Sequence, residues 1–311
     1  MSESAGCPVR LPAPLMLAHP IRVLPAAAGV VYEAKLDGVR ALYGAGRLWS
    51  RHHKQLHVPE VIAAARGLGD GVVLDGELVV FAADGRCDFP AVCRRLHSPA
   101  PPAVTYVAFD LLAAAGRDLR ALPYRHRRLR LTDLLADPAP HLQLMPATDD
   151  VAEAADWYAS PLVEGLVIKP VEAPYPRVRD QRRWQKLRRQ HTLTLLAVGL
   201  HGSPPAPCRV LLGAYAGPEL RLVGATLPLP ADAPLPLTVC AGPRTVPGWL
   251  LGGLPGRHCE PAAYLPVDPF PVDVAADTAI DGGIRLRHCP PLLRSRPDVD
   301  PTTVTLPLPP T

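Results

Sequence analysis

Lys35 stands two positions before an Asp-Gly pair and five before an arginine, in the run Glu33-Ala34-Lys35-Leu36-Asp37-Gly38-Val39-Arg40. A lysine attacks only as the neutral amine, and with a free pKa of about 10.4 roughly one molecule in two thousand is neutral at pH 7. Such a nucleophile needs neighbouring cations to lower its proton affinity, whereas Asp37 and Glu33 act in the opposite direction. The same spacing also describes an ordinary hairpin ending in a solvated lysine, so residues further along the chain must separate the two readings.

Those residues form an ordered series of polar groups set in apolar stretches: Arg40, Ser50-Arg51, Glu77, Phe109-Asp110, Glu164, Lys169, Lys186 with Arg188, then Arg287, Arg294 and Arg296. Taken singly, Glu77 and Glu164 read equally well as solvated strand carboxylates and Phe109 as a core side chain. The eleven histidines and seven cysteines show no spacing that would build a metal site.

The β-branched and aromatic run Val30-Val31-Tyr32 predicts a strand whose period of two sets Glu33 and Lys35 on one face and Tyr32 and Ala34 on the other. It follows an irregular lead-in from Pro20 to Gly29. Asp37-Gly38 predicts a turn, and Gly38, lacking a Cβ, lets the backbone approach a ligand. Extended patterns continue through Val39 to Tyr43 and Arg47 to Arg51. Pro59 to Arg66 predicts a short helix, Val72 to Phe81 two strands joined at Asp75-Gly76, Asp88 to His97 a helix and Thr105 to Leu112 a strand. Pro123 opens a basic helix through Leu135, whose Arg125, His126, Arg127, Arg128 and Arg130 read more readily as a solvated face than as a polyanion contact. Asp150 with Glu153 suggests a capping box, and Gly165 to Lys169 a buried strand directly after Glu164.

The densest positive run, Tyr175 to Arg189, carries Arg177, Arg179, Arg182, Arg183, Lys186, Arg188 and Arg189. From Thr192 the texture changes to short strands separated by Gly and Pro, which suggests a small β-barrel. The expected organisation is a first domain over residues 1–190, a second over 191–300 and a loose Pro-rich tail over 301–311. A chain of 311 residues with 48% hydrophobic content is long and apolar enough for two cores. Its forty prolines favour strands, turns and linkers over helices. A net charge of +4 permits a polyanionic partner without demanding one. Scattered cysteines suggest reduced thiols and a cytoplasmic protein, and no stretch reads as an export signal or membrane span.

The ordered series resembles the covalent nucleotidyltransferases, specifically the ATP-dependent DNA ligases of the short bacterial two-domain type. Glu-Ala-Lys-Leu-Asp-Gly-Val-Arg is similar to their adenylation motif, Leu-Asp-Gly-Glu-Leu-Val to the third motif, Val-Ala-Phe-Asp-Leu to its aromatic follower, Glu-Gly-Leu-Val-Ile-Lys to the fourth and Trp-Gln-Lys-Leu-Arg to the fifth. Arg287-His288-Cys289-Pro290 with Leu293-Arg294-Ser295-Arg296-Pro297-Asp298 resembles the sixth, so the likeness spans roughly residues 14 to 299.

The resemblance implies an α+β architecture: an ATP-grasp-like adenylation domain of antiparallel sheets, followed by an oligonucleotide-binding (OB-fold) β-barrel. It implies that Lys35 attacks ATP to form a lysyl-AMP bond, with Lys186 and Arg188 neutralising the α-phosphate; Arg188 stands where the family usually has a second lysine. Asp37 belongs to the same catalytic motif. Glu77 is expected at the ribose hydroxyls, Phe109 against adenine, and Arg40 and Arg51 at ribose and phosphate. Glu33 and Lys169 complete the nucleotide site, Glu164 is the expected ligand of Mg²⁺ or Mn²⁺, and Arg287, Arg294 and Arg296 are expected over the β,γ-phosphates. The implied substrate is nicked duplex DNA, handled by a monomer with no membrane partner. With no large helical domain before Pro14, an accessory repair ligase is expected. The alternatives are an RNA ligase or capping-type nucleotidyltransferase sharing Lys35, Glu77, Glu164 and Lys186, and a catalytically decayed nucleic-acid-binding protein.

Overall fold

The computed structural model describes residues 7–69, 71–98, 102–175, 183–203, 206–229, 238–251, 260–277 and 280–308. Arg177, Arg179 and Arg182 of the basic run therefore lie outside the described residues. The chain divides into two compact units, Met1–Arg188 and Arg189–Thr311.

In the first unit the strands and helices are, in order, β1 (Ala18–Ile21), β2 (Val30–Lys35), β3 (Val39–Gly44), β4 (Arg47–Ser50), β5 (Gln55–Leu56), α1 (Pro59–Arg66), β6 (Val73–Val79) and α2 (Phe89–His97). There follow β7 (Thr105–Ala114), β8 (Arg117–Asp118), α3 (Tyr124–Leu134), β9 (Leu142–Leu144), β10 (Ala147–Thr148), α4 (Val151–Ala159), β11 (Gly165–Pro170) and β12 (Trp184–Arg188). They build two sheets. One runs β1-β12-β11-β2-β10; the other runs β5-β4-β3-β6-β7-β8 with β9 beside β7.

Leu42, Val73, Val79, Val107 and Phe109 of the second sheet form one apolar cluster with Trp184 and Tyr175. The helices cover outer faces, α4 packing Ala154 against Tyr32, Leu166, Ile168 and Leu187. Their starts follow local rules. Asp88 accepts from Ala91 N at 2.8 Å and Asp150 from Ala152 N at 2.8 Å, each satisfying an otherwise unpaired first-turn N–H. Pro59 opens α1, where a missing N–H costs nothing.

Several expectations change here. The lead-in is not wholly irregular, because β1 pairs in parallel with β12. Asp75-Gly76 is not a turn: β6 runs straight through it, with a register shift against β7. Gly76 is needed because a Cβ there would sit 2.5 Å from the Tyr106 ring and 2.7 Å from Val107 O. Gly38 serves packing in the same way, since a Cβ would meet Leu78 O at 2.3 Å and Glu77 Cγ at 2.8 Å.

The second unit contains β13 (Gln190–Ser203), β14 (Ala206–Ala216), β15 (Glu219–Ala225), β16 (Arg244–Val246), β17 (Ala262–Asp277), β18 (Ile280–Asp281), β19 (Arg285–Leu286) and β20 (Leu292–Ser295). Its main sheet has the order β15-β14-β13-β17-β16, with β20 also on β17, and β18-β19 form a hairpin. Among the described residues the pairing does not close into a barrel. The expected loose tail is docked as far as Leu308: Leu306 N donates to Tyr215 O at 2.7 Å, and Val304 and Leu308 are buried in the core of this unit. Burial of those two side chains holds a segment that its prolines alone would leave extended. No helix among the described residues is long and apolar enough to cross a membrane.

Candidate active site

Strand register assembles the site. Antiparallel pairing sets Lys35 opposite Gly165 and Gly165 opposite Arg188; two residues along, Glu33 lies opposite Val167 and Val167 opposite Lys186. Directly opposed residues, and residues two apart on a strand, share a face. One face of the five-stranded sheet therefore carries Glu33, Lys35, Lys169, Trp184, Lys186 and Arg188, while Tyr32 packs against α4 on the other. Gly165 makes the row possible, because a Cβ there would lie 2.0 Å from Leu187 O.

These side chains line a cavity of about 450 Å³, whose further walls include Arg40, Arg51, Glu77, Phe109 and Met145. Its size suits a small-molecule ligand. Arg40 and Glu77 face each other across β3 and β6. Nine of the residues singled out in the sequence thus meet in one place: Glu33, Lys35, Arg40, Arg51, Glu77, Phe109, Lys169, Lys186 and Arg188. Asp37 lies in the bend after β2 and is not part of the lining. Arg287, Arg294 and Arg296 belong to the second unit, where they pair with Asp281, Asp273 and Asp273 with Asp298.

Glu164 does not line the cavity; its Oε2 accepts a short hydrogen bond from Lys35 Nζ, and its Oε1 lies 3.0 Å from Arg188 Nε. Its backbone is tied to the nucleophile strand as well, Glu164 N donating to Lys35 O at 2.8 Å. Glu33, expected to act on Lys35, is engaged elsewhere: its Oε2 lies 2.6 Å from Lys169 Nζ, and its Oε1 accepts from the Tyr124 hydroxyl.

Burial governs the electrostatics. It pushes the Glu77 carboxyl up to about 8, against the pull of Lys35 and Arg40. It takes Lys186 down to about 8, helped by repulsion from Arg188 and Lys35. Lys169 is also lowered by burial despite Glu33, and donates to Phe109 O at 3.0 Å. Arg40 is held by Asp75 through two hydrogen bonds of 2.9 and 2.6 Å, with its guanidinium 5.3 Å from the Phe109 ring centroid. Phe109 is both core and wall, packing edge-on to Trp184 at 6.1 Å.

The largest difference from the sequence reading is α3. Arg127 is fully buried and bidentate to Asp110 at 2.7 and 2.9 Å, and Arg128 Nη2 donates to Met145 O at 2.6 Å. Only part of that basic helix is a solvated face, Arg125 for instance being exposed beside Glu172. The spacing of Tyr124, Arg127 and Leu131, all buried, is that of one helix face and was the available signal. Trp184, another wall residue given no role from sequence, has a buried indole N–H without a hydrogen-bond partner among the described residues.

A nucleophile candidate, cations beside it, carboxylates and an aromatic wall around one cavity are the parts of a nucleotidyl-transfer site. Residues 15–188 match the family described as the ATP dependent DNA ligase domain, and the chain belongs to the ATP-dependent DNA ligase family. DNA ligase C2 of Mycolicibacterium smegmatis is 35% identical over 230 residues, covering 67% of this chain and 63% of that protein. DNA ligase C1 of the same organism is 30% identical over 330 aligned positions, covering 96% and 94%. Among solved structures, a mycobacterial DNA ligase D complexed with ATP and MES is similar at a TM-score of 0.53 and 26% identity, covering 94% of this chain and 97% of that one. The chain therefore spans somewhat under two thirds of one relative and nearly all of another. The family result favours the DNA ligase reading over the RNA ligase and capping readings.

Proposed function

We propose that this chain is an ATP-dependent ligase that seals 5′-phosphate/3′-hydroxyl nicks in duplex DNA through a lysyl-AMP intermediate. The observation that carries the reading is the convergence of Lys35, Glu77, Phe109, Lys186 and Arg188 on one cavity. In the first step Lys35 Nζ attacks the α-phosphorus of ATP, the bond to the leaving pyrophosphate oxygen breaks, and the amine loses its proton. Lys186 and Arg188, on one face of β12, neutralise the charge that builds on the α-phosphate oxygens. Arg188 grips oxygens with a planar fork where the family usually has an ammonium, which alters geometry but not sign.

The contact between Glu164 and Lys35 favours the ammonium, so Glu164 must turn away before attack. Glu164 is also the residue suited to Mg²⁺. Its carboxylate and that of Glu77 interact electrostatically, and Mg²⁺ is commonly held by one or two carboxylates with water and phosphate oxygens completing the shell. When bound, the ion supplies charge neutralisation on the phosphates. Glu77 as carboxylate accepts from the ribose hydroxyls, and Phe109 lies along the base.

In the second step a 5′-phosphate oxygen at the nick takes the AMP and restores the lysine; in the third the 3′-hydroxyl attacks that 5′-phosphorus and expels AMP. We read the second unit as the oligonucleotide-binding barrel. Long antiparallel strands with register shifts at Ala197/Gly199 and Leu212/Gly213 support this, since bulges let a sheet curl. Its Arg287, Arg294 and Arg296 would serve the β,γ-phosphates. The acid pairs that hold these arginines would then have to yield. DNA repair in the cytoplasm, by a monomer, completes the reading.

The test is incubation with Mg²⁺ and α-labelled ATP or GTP, followed by a chase onto nicked DNA or nicked RNA. Label from ATP and sealing of DNA are expected. Label only from GTP, or sealing only of RNA, would move the assignment to capping or RNA ligation.

A further inference from the structure

Helix α3 lies behind the cavity lining and supports it with three side chains at 124, 127 and 128, the i, i+3, i+4 spacing of one helix face. The Tyr124 hydroxyl donates to Glu33 Oε1. Arg128 stands beside the same oxygen at 3.9 Å while donating to Met145 O. Arg127 clamps Asp110, whose chain neighbour Phe109 supplies the carbonyl that receives Lys169. Tyr124 N and Arg125 N donate to Ala173 O and Val171 O at 2.9 and 3.0 Å, tying the start of the helix to the segment after β11.

We propose that Tyr124 is a positioning residue for base selection: by donating its proton to Glu33 it fixes that carboxylate, with Lys169, as an oriented acceptor–donor pair on the cavity wall. The inference rests on the nucleotide-site reading above. A carboxylate is an acceptor only and an ammonium a donor only. Glu33 uses Oε1 for Tyr124 and Oε2 for Lys169, so its orientation is fixed from both sides, and its remaining lone pairs accept from the ligand. Burial, and then the neighbouring Glu33 charge, hold the Tyr124 phenol protonated far above neutral pH, so it remains a donor.

A purine whose six-membered ring carries an amino group offers Glu33 a donor, whereas a 6-oxo purine offers an acceptor and leaves buried oxygens facing each other. Sites that hydrogen-bond a ligand group reject the analogue lacking it far more strongly than apolar sites do. Tyr124 reaches the ligand only through Glu33. Losing its hydroxyl should therefore loosen selection without touching the reacting atoms.

The experiment is Tyr124→Phe, with single-turnover labelling of the enzyme from ATP and from ITP. The expected result is a fall of about tenfold in the ATP-over-ITP ratio of kcat/KM, carried by a higher KM for ATP, with kcat within about twofold of wild type. Arg127→Lys, which keeps the charge opposite Asp110 but not the fork, separates general loosening of the wall from the hydroxyl effect: it should leave the ATP-over-ITP ratio within about twofold. An unchanged ratio in Tyr124→Phe, or an equal loss in both variants, overturns the proposal. Wild-type protein that takes no label from ATP instead refutes the nucleotide-site reading itself, so the two failures are distinguishable.

Discussion

The lysine-bearing face of the five-stranded sheet and the β17–β20 edge that carries Arg294 hold their charges in different ways. On the first, groups far apart in sequence are brought together by strand register at or beside the cavity: Lys35 with Glu164 and Glu33 with Lys169. On the second, the arginines stay at an exposed edge. Arg294, 67% exposed at its side chain, pairs directly opposite Asp273 at 2.8 Å; Asp273 is itself buried, but Thr194 and Arg296 hold it as well, and Arg296 also reaches Asp298. A buried carboxylate left without a cation is expensive because it cannot be hydrated, whereas loss of an exposed arginine costs little where the carboxylate keeps a second cation. Arginines of the two units should therefore respond to the same substitution very differently.

Arg127→Met should have the largest effect on stability. It strands Asp110 in the interior and should destabilise the first unit by about 3–5 kcal/mol in urea unfolding. A loss below about 1 kcal/mol would mean that the interior tolerates the lone carboxylate.

Next comes Lys186→Ala, which removes a cation from the cavity face. Lysyl-AMP formation should slow about 10²–10³-fold at saturating ATP in rapid-quench measurements. A change confined to KM would place Lys186 in ground-state binding instead.

The pH profile has a smaller effect. With Glu77 pushed up and Lys186 taken down, both to about 8, rising pH ionises the ribose acceptor over the same range in which it discharges the phosphate cation. The kcat/KM for enzyme adenylylation should be a narrow bell peaking near pH 8. Glu77→Gln should weaken the acid limb and leave the alkaline limb, set by Lys186, in place. A broad plateau from pH 6 to 9 in wild type would contradict these assignments.

The smallest effect is expected in the second unit, where Arg294→Ala should change unfolding free energy by no more than about 1 kcal/mol.

What the sequence made legible follows the same division. Runs such as Val30-Val31-Tyr32 and Thr105 to Leu112, and the caps Asp88 and Asp150, are set by neighbours in the chain, and the strands and helices they mark appear where expected. Lys35 and the residues that share its cavity stood out as polar groups in apolar strands. What was hidden is non-local. That Glu164 rests on Lys35 while Glu33 is taken by Lys169 and Tyr124 depends on which strands pair and in which register. Asp75-Gly76 looks like a turn because the glycine that a turn needs is also the glycine that a close crossing needs. The arginines of α3 read as solvated because composition says charge, while the burial of Arg127 depends on Asp110 waiting beneath it.

Lys35 as nucleophile is tested most directly by labelling wild type and Lys35→Ala with α-labelled ATP and Mg²⁺, quenched at neutral pH with detergent and chelator. Label is expected on wild type alone, in an acid-labile phosphoramidate linkage that nicked DNA discharges. Label on Lys35→Ala equal to wild type, or none on either, would contradict that role.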